Sequence, residues 1–453
     1  MQHQAKQLIV AIEKAREQVF EAHNYIWTHP ETGYREWKTS KYLEDAYEKL
    51  GYSLVRAGNI PGFYTDLDTG KPGPTVLILA ELDSLICEAH PDASPSTHYV
   101  HACGHSAQCA ALLGLAIALK QPRALDGLSG KIRLMMVPAE ELIELSYREE
   151  LKQQGIIHYF GGKTEFMYRG YMDDVDLAFM VHTDTCGTNN AYITKGSNGC
   201  IAKTALFKGK ASHAGVAPED GINALYAATQ ATSAINALRE TFRDQDCVRV
   251  HPIITKGGNA VNAIPDDVCI ENYVRGASIN LIKKISDRIN LAVAGSAASI
   301  GAQVELIDQP GYAPLINDEY LNQLALEAMR DVLGPGARDE RHVWEAGCTD
   351  MGDLSTVMPV VQPYCGGAEG TCHGKDFYIH DLESACINSA KIQAILLVRL
   401  LENDAVLAKR IIQNATPLFA SIPEYFAFVD KLTLNKKVVQ YNPDGTVTLD
   451  YKN

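Results

Sequence analysis

Short apolar segments that alternate with helical segments constrain the fold of this chain more than any other feature. Thr75 to Leu82 and Lys131 to Val137 have the length and apolar composition of buried strands, and Asp176 to His182 is a third such segment. Ala107 to Lys120, between the first two segments, has a helical pattern. The order predicts an α/β layer structure, in which ligands bind at the carboxyl ends of the strands.

The pattern changes near Tyr192, where strand-like and helical segments follow in the order β-α-β-β-α. This order favours a small separate domain inserted into the first one. From about Pro310 onward, helical stretches surround loops rich in Gly, Thr and Asp, which we interpret as the return to the first domain. A chain of 453 residues also exceeds the length that one hydrophobic core supports, so at least two domains are expected. The tail after Pro417 is a mixed segment that the pattern does not place.

Charge and cysteine content exclude several classes of protein. The 41 basic and 55 acidic residues leave a formal charge of −14, which repels phosphate backbones and anionic lipids. We therefore expect neither nucleic acid nor a membrane as a partner. The first 20 residues lack the apolar core of a signal peptide, and the 11 cysteines without close CxxC pairs fit a reducing compartment. A cytoplasmic location is expected.

The motif His101-Ala102-Cys103-Gly104-His105 follows the first predicted strand and opens a helix. A thiolate and an imidazole two residues apart can bind neighbouring metal positions, and Gly104 removes side-chain bulk between them. Taken alone, the motif is explained at least as well by a buried thiol near surface histidines. Cys103 and His105 are therefore candidate ligands that require further partners.

Further ligand-type residues lie at other strand ends and loops. Glu140 and Glu141 follow the second strand, and adjacent residues there point in different directions, so one can bind metal while the other faces a metal-bound water. His182 ends the third strand, and His373 lies in a glycine-rich loop. Each alone is more simply a solvated acid or a structural histidine. Together with the first motif they predict a single metal site, because so many chance placements at strand ends are improbable.

At these residues the chain resembles the M20 metallopeptidase and amidohydrolase family, specifically its aminoacylase-like and aminobenzoyl-glutamate hydrolase-like branch. The resemblance begins at His29-Pro30-Glu31-Thr32-Gly33 and reaches about residue 410. In the inserted segment it includes Ser212-His213-Ala214-Gly215 and Ile264-Pro265-Asp266. The combination of His101-Ala102-Cys103-Gly104-His105 with Pro138-Ala139-Glu140-Glu141 at this separation is specific to the family.

The resemblance implies an α/β catalytic domain of residues 1–192 and 311–453, with a mixed sheet flanked by helices. Residues 193–310 would form an inserted small α+β domain that acts as a lid and dimerises. The implied activity is hydrolysis of the amide bond in an N-acyl or N-aroyl amino acid or a dipeptide, by a homodimer or higher homo-oligomer. The implied cofactors are two divalent metal ions, Zn²⁺ or Mn²⁺, about 3.5 Å apart.

The resemblance also implies a role for each candidate residue. Glu140 is the general base toward a metal-activated water, and Asp83 orients a ligand or a bridging thiolate. His213 of the lid stabilises the oxyanion in the partner subunit's site. Asn262 and Arg275 are candidates for holding a substrate carboxylate, although a surface ion pair would equally explain Arg275. The implied metal ligands are Cys103 as the bridge, His105, Glu141, His182 and His373.

Two departures from the family pattern leave alternatives open. Ser106 stands where many relatives carry Asp or Asn, and Leu142 to Phe160 is an insertion that can reshape the substrate pocket. One alternative is a non-catalytic ligand-binding relative with the same fold. The other is a thiol amidohydrolase with Cys103 as nucleophile and His105 as base, which would leave the other candidate ligands unused.

Overall fold

The three apolar segments predicted as strands are neighbours in one six-stranded sheet of the computed structural model, which describes residues 3–452. Thr75–Glu81 lies between Lys131–Val137 and Leu177–Phe179 and is parallel to both. Phe63–Asp68 joins Lys131–Val137 in antiparallel orientation, so the sheet is mixed. Every residue of Thr75–Glu81 is buried, as expected of a strand covered on both faces. The strand order is Val55–Arg56, Phe63–Asp68, Lys131–Val137, Thr75–Glu81, Leu177–Phe179 and Val360–Val361.

Helices cover this sheet, and the one that begins at the first motif is the most deeply buried. His105–Leu119 is buried along its whole length, because it is apolar all round and packs between Thr75–Glu81, Arg16–Trp27 and Ser389–Asn414. The last of these helices departs from helical geometry at Glu402–Ala405. The other helices are His3–Lys14, Trp37–Lys49, Leu145–Gln153, Gly162–Tyr168, Glu319–Leu333 and the short Met351–Ser355.

One segment among residues 3–452 is long and apolar enough to cross a membrane by length and composition alone. This segment is Glu383–Asn414, and 89% of its apolar window is buried inside the fold. Its apolar character is therefore explained by packing in the protein core.

The third predicted strand is divided between two sheets. Leu177–Phe179 belongs to the large sheet, whereas His182–Thr183 pairs in parallel with Tyr364–Cys365 in a smaller one. The smaller sheet also contains Ala191–Ser197, Leu315–Ile316 and Ala337–Glu345. Two further antiparallel pairs are Leu85–Ile86 with Tyr99–Val100 and Ala368–Glu369 with Tyr378–Ile379.

The chain divides into two compact units. The first comprises the chain up to Gly196, Ile316–Trp344 and Asp353–Ile422, and the second comprises Ser197–Leu315, Glu345–Gly352 and the chain from Pro423.

The second unit contains an antiparallel sheet with two long helices packed on it, Ala224–Arg239 and Ile279–Ile300. Buried and partly exposed residues alternate along Asp267–Gly276, so one face of this strand points into the core. Side-chain oxygens of Asn223 and Ser278 accept hydrogen bonds from backbone N–H groups in the first turns of the helices, which fixes where each begins. The other strands are Gly199–Lys208, Arg249–Val250, Ile253–Lys256, Gln303–Pro310, Leu434–Lys437, Val439–Tyr441 and Val447–Leu449.

The C-terminal segment differs from the predicted division. The sequence assigned residues 311–453 to the first domain, but Leu434–Lys437 pairs with Gln303–Pro310 and adds a strand to the second unit. Leu434, Val438 and Val439 also pack in the core of this unit. The described units change at Ser197 and Leu315, where the sequence suggested residues 193 and 310. The lid and dimerisation role of the second unit stays a prediction.

Candidate metal centre

Several candidate residues come together where the parallel strands of the large sheet end. Glu81 is the last residue of its strand, and Asp83 follows two residues later. Glu140 and Glu141 follow the neighbouring strand Lys131–Val137. The carboxyl ends of parallel strands lie at the same sheet edge, so the fold itself brings these carboxylates together.

The turn before helix His105–Leu119 places Cys103 and His105 in the same cluster. Gly104 has a φ of 99°, and a Cβ atom there would lie 2.9 Å from Thr183 Cβ, so this position requires glycine. Cys103 Sγ lies 3.8 Å from His182 Nε2. The rings of His105 and His182 are nearly perpendicular, with centroids 5.6 Å apart.

Asp83 connects two of the predicted ligands. His105 Nδ1 donates to the Asp83 carbonyl at 2.9 Å and lies 3.1 Å from its carboxylate Oδ1. Asp83 Oδ2 accepts a hydrogen bond of 2.8 Å from the backbone N–H of Glu141. Asp83 therefore supplies the support for His105 that the sequence left in doubt when it showed serine at position 106.

The opposite nitrogen of the His105 ring faces two acids. His105 Nε2 lies 3.2 Å from Glu81 Oε2 and 3.9 Å from Glu140 Oε2. Burial lowers the pKa of His105, but Glu81, Asp83 and Glu140 outweigh it, so the pKa is raised well above its usual range.

A left-handed backbone residue precedes the acid pair. Ala139 has a φ of 57°, and its N–H donates to Glu36 Oε1 at 2.7 Å, which holds the turn in place. The turn brings Glu141 Oε1 to 3.0 Å from His373 Nε2. Burial raises the pKa of Glu141, but the nearby His373 outweighs it and lowers the pKa to about 2. Burial lowers the pKa of His373, but Glu141 and Cys372 raise it to about 11.

Three participants escaped the sequence reasoning. Glu81 is fully buried and accepts hydrogen bonds from Lys163 Nζ at 2.5 Å and Gln108 Nε2 at 2.9 Å. The signal was a lone acid in an otherwise apolar strand. Cys372 precedes His373, and a hydrogen bond links its side chain to that of Cys103. A cysteine directly before a candidate histidine ligand was the signal there.

The cluster suits divalent cations. Three groups each have donor atoms within 4.8 Å of one another, and two of the groups share Cys103. Within residues 3–452, the buried atoms His105 Nε2 and Glu141 Oε1 have no hydrogen-bond partner, so both are available to a cation. Thiolate, imidazole and carboxylate donors together fit Zn²⁺, and the imidazole and carboxylate subset also fits Mn²⁺. The groups are Cys103 with His105 and His182, His105 with Glu140 and Glu141, and Cys103 with Cys372 and His373.

The surroundings of Cys103 disfavour a thiol mechanism. Its hydrogen bond to Cys372, its burial and the carboxylates of Glu141 and Glu140 all raise the pKa of the thiol. A reactive cysteine needs an electropositive, partly exposed environment that lowers this pKa. The thiol amidohydrolase alternative therefore finds no support in the geometry.

The other predicted site residues belong to the second unit. His213 is exposed and pairs with Ala263, and the next residue donates from its N–H to the carbonyl of Asn262 at 3.0 Å. Arg275 lies near the far end of Asp267–Gly276, over the ring of Tyr273. That strand separates Arg275 from Asn262 by on the order of 25 Å. The structure thus brings His213 and Asn262 together within this unit but not Arg275.

Curated relatives of the chain include two amide hydrolases. One of the two chains named as p-aminobenzoyl-glutamate hydrolase in Escherichia coli (strain K12) is 34% identical over 261 residues, which are 55% of this chain and 55% of the relative. Indole-3-acetyl-aspartic acid hydrolase of Enterobacter agglomerans is 33% identical over 262 residues, again 55% of each. The chain thus spans about half the length of these curated relatives.

A solved structure and a family pattern extend the comparison. The crystal structure of Bacillus subtilis YXEP, described as a dinuclear metal-binding peptidase from the M20 family, shares the fold with a TM-score of 0.64. It is 21% identical, and the match covers 87% of this chain and 100% of YXEP. The pattern of peptidase family M20/M25/M40 matches residues 77–399, from the strand that ends in Glu81 to the long helix beyond His373. Because that match covers well over half of the chain and includes the whole cluster of candidate ligands, the chain belongs to peptidase family M20/M25/M40.

Proposed function

We propose that the chain hydrolyses the amide bond of an N-acyl or N-aroyl amino acid or a dipeptide, with two divalent metal ions as cofactors. The observation that carries the proposal is the sharing of Cys103 by two donor groups, with Glu140 beside them. One thiolate common to two groups is the arrangement that a pair of bridged ions needs. The proposed ligands are Cys103 as the bridge, His105, Glu141, His182 and His373.

The substrate class follows from the relatives. The two hydrolases above are named for p-aminobenzoyl-glutamate and indole-3-acetyl-aspartic acid, and a third relative is an N-acetyl-L-cysteine deacetylase of Bacillus subtilis. The third is 26% identical over 333 residues. In each name an acyl or aroyl group is joined to the nitrogen of an amino acid. We therefore infer a small-molecule amide whose amine side is an amino acid.

The protein's own groups carry the proton transfers and the positioning. When bound, two cations would polarise the scissile carbonyl and lower the pKa of a water molecule. Glu140 accepts the proton of that water and returns it to the leaving amine. Asp83 holds the ring of His105 and the backbone of Glu141, so both ligands keep a fixed orientation during the reaction.

His213 is proposed to stabilise the oxyanion, in the site of a partner subunit. Its Nδ1 accepts hydrogen bonds from the N–H groups of Gly215 and Val216, both at 3.1 Å. The neutral ring therefore carries its proton on Nε2, which can donate to a developing negative charge. Asn262, beside His213, would contact the substrate in the same region, and Arg275 would act separately on a carboxylate.

The proposal is tested by metal content and by a substrate panel. Protein purified without added metal should contain about two divalent ions per chain, and it should cleave aminobenzoyl-glutamate, indole-acetyl or N-acetyl amino acids, or dipeptides. Chelation should abolish turnover, and Cys103→Ala or His373→Ala should lower metal occupancy. Turnover that survives chelation would instead support the thiol mechanism. Binding of these amides without product would support the non-catalytic alternative.

A further inference from the structure

We infer that Cys372 is itself a metal ligand, so that the two proposed ions have different donor sets and different roles. The inference rests on the proposed two-metal site and deepens it. One ion would be held by Cys103, Cys372, His373 and Glu141. The other, held by Cys103, His105 and His182, would keep an open position for water.

The loop that carries Cys372 is a tight turn with a fixed position. The N–H of Gly374 donates to the carbonyl of Thr371 at 2.7 Å, and Asp376 Oδ1 accepts from the N–H of Thr371 at 3.2 Å. His373, in the middle of the turn, has a φ of 62°, and its N–H donates to the Ala102 carbonyl at 2.9 Å. This last bond ties the turn to the segment that supplies Cys103. Cys372 is therefore held near Cys103 by the backbone.

The donor atoms have the separation that a shared ion requires. The sulfurs of Cys103 and Cys372 and a ring nitrogen of His373 lie within 4.8 Å of one another. Zinc binds thiolates at about 2.3 Å, so two sulfurs on one tetrahedral ion are about 3.8 Å apart. Glu141 Oε1, 3.0 Å from His373 Nε2, adds a fourth donor. Two sulfurs, one nitrogen and one oxygen complete a tetrahedral set.

The second group is one donor short of that number. Cys103, His105 and His182 provide one sulfur and two nitrogens. Three protein ligands with an open fourth position are characteristic of catalytic zinc, whereas four protein ligands are characteristic of structural zinc. Glu140 Oε2 lies 3.9 Å from His105 Nε2, so the proposed general base is on the side of the open position. The reacting water is therefore assigned to the ion of His105 and His182.

Cobalt substitution tests the inference without relying on activity. Bonds between thiolate and Co²⁺ give a charge-transfer absorption in the near ultraviolet, and the assignment predicts three such bonds per chain, two from Cys103 and one from Cys372. Cys372→Ser should lower that absorption by about one third in protein kept under a phosphine reductant. Cys372→His, which keeps a ligand, should lose the same absorption but retain two cobalt ions. Cys269→Ser, at a half-buried thiol of the second unit, is the matched control and should leave the spectrum unchanged.

Zinc affinity gives an independent readout. Competition with a chromophoric chelator should show that Cys372→Ser weakens one of two zinc equivalents at least ~10-fold and leaves the other intact. An unchanged cobalt spectrum together with two unchanged zinc affinities would overturn the assignment of Cys372. A wild-type protein that binds neither cobalt nor zinc would instead refute the two-metal site, and this inference with it. Thermal unfolding of each variant checks that the fold is retained.

Discussion

Arg148 donates a hydrogen bond from Nη2 to the backbone carbonyl of Glu141, a proposed metal ligand. Its Nη1 donates to the carbonyl of Phe160 at 2.6 Å, and the side chain is fully buried. These carbonyls lie at the two ends of the inserted segment Leu142 to Phe160. The insertion thus carries a guanidinium that ties its own ends together and holds the backbone of Glu141. From the sequence we expected the insertion to affect the substrate pocket only.

Replacement of Arg148 by methionine should lower both stability and metal affinity. The change leaves two buried carbonyls without donors, which costs about 2–5 kcal/mol in the free energy of unfolding. It also releases the backbone of Glu141, so metal affinity should fall about 10-fold or more. Urea unfolding and zinc competition measure the two effects. Gln153→Met, at an exposed position of the same helix, is the control and should change neither. A variant with wild-type metal affinity would show that Arg148 is merely structural.

Replacement of Glu140 by glutamine should separate catalysis from metal binding. Glutamine keeps the size of the side chain and removes its ability to accept a proton, so turnover should fall by about two or more orders of magnitude. Metal content and unfolding temperature should stay at their wild-type values. Kinetics on the best amide of the panel, together with metal analysis, provide the measurement. Near-normal turnover would remove Glu140 from the mechanism.

Metal binding should release protons and strengthen as the pH rises. The hydrogen bond with Cys372 and burial raise the pKa of Cys103, and nearby carboxylates raise those of His105 and His373 above neutrality. The metal-free protein therefore carries a proton on each group at pH 7, and metal must displace it. Calorimetry in buffers of different ionisation enthalpy should show about three protons released per fully loaded chain.

The sign of this pH dependence follows from competition between metal ions and protons. Lowering the pH adds protons to Cys103, His105 and His373 and weakens binding, whereas Glu141, with a pKa of about 2, stays ionised. Affinity that does not change between about pH 6 and 8, with no dependence on the buffer, would contradict these protonation states.

Prediction from sequence succeeded where the signal was local. The apolar runs that became Thr75–Glu81 and Lys131–Val137 show burial directly, because parallel strands are covered on both faces. The same pattern could not show that the chain changes sheets between Phe179 and His182, since both parts are apolar.

Features that depend on distant contacts were not predictable. The bond between Lys163 and Glu81 joins residues 82 positions apart, and no local pattern specifies such a pairing. The positive φ angles of Ala139 and His373 are held by contacts with Glu36 and Ala102, so neither residue type announces them. Residue types thus indicated the site, whereas its supporting contacts required the fold.

His213 provides the last prediction, because it belongs to the second unit and is proposed to serve a partner subunit's site. Glu140→Ala and His213→Ala homodimers should each turn over poorly. Random subunit exchange would give half heterodimers, and each of these would contain one site with an intact Glu140 and an intact His213 from the partner, restoring about a quarter of all sites. Activity should therefore reappear on mixing, and a tag on one variant with co-purification of the other verifies exchange. If exchange occurs and activity stays at the level of the separate variants, His213 acts within its own chain or not at all.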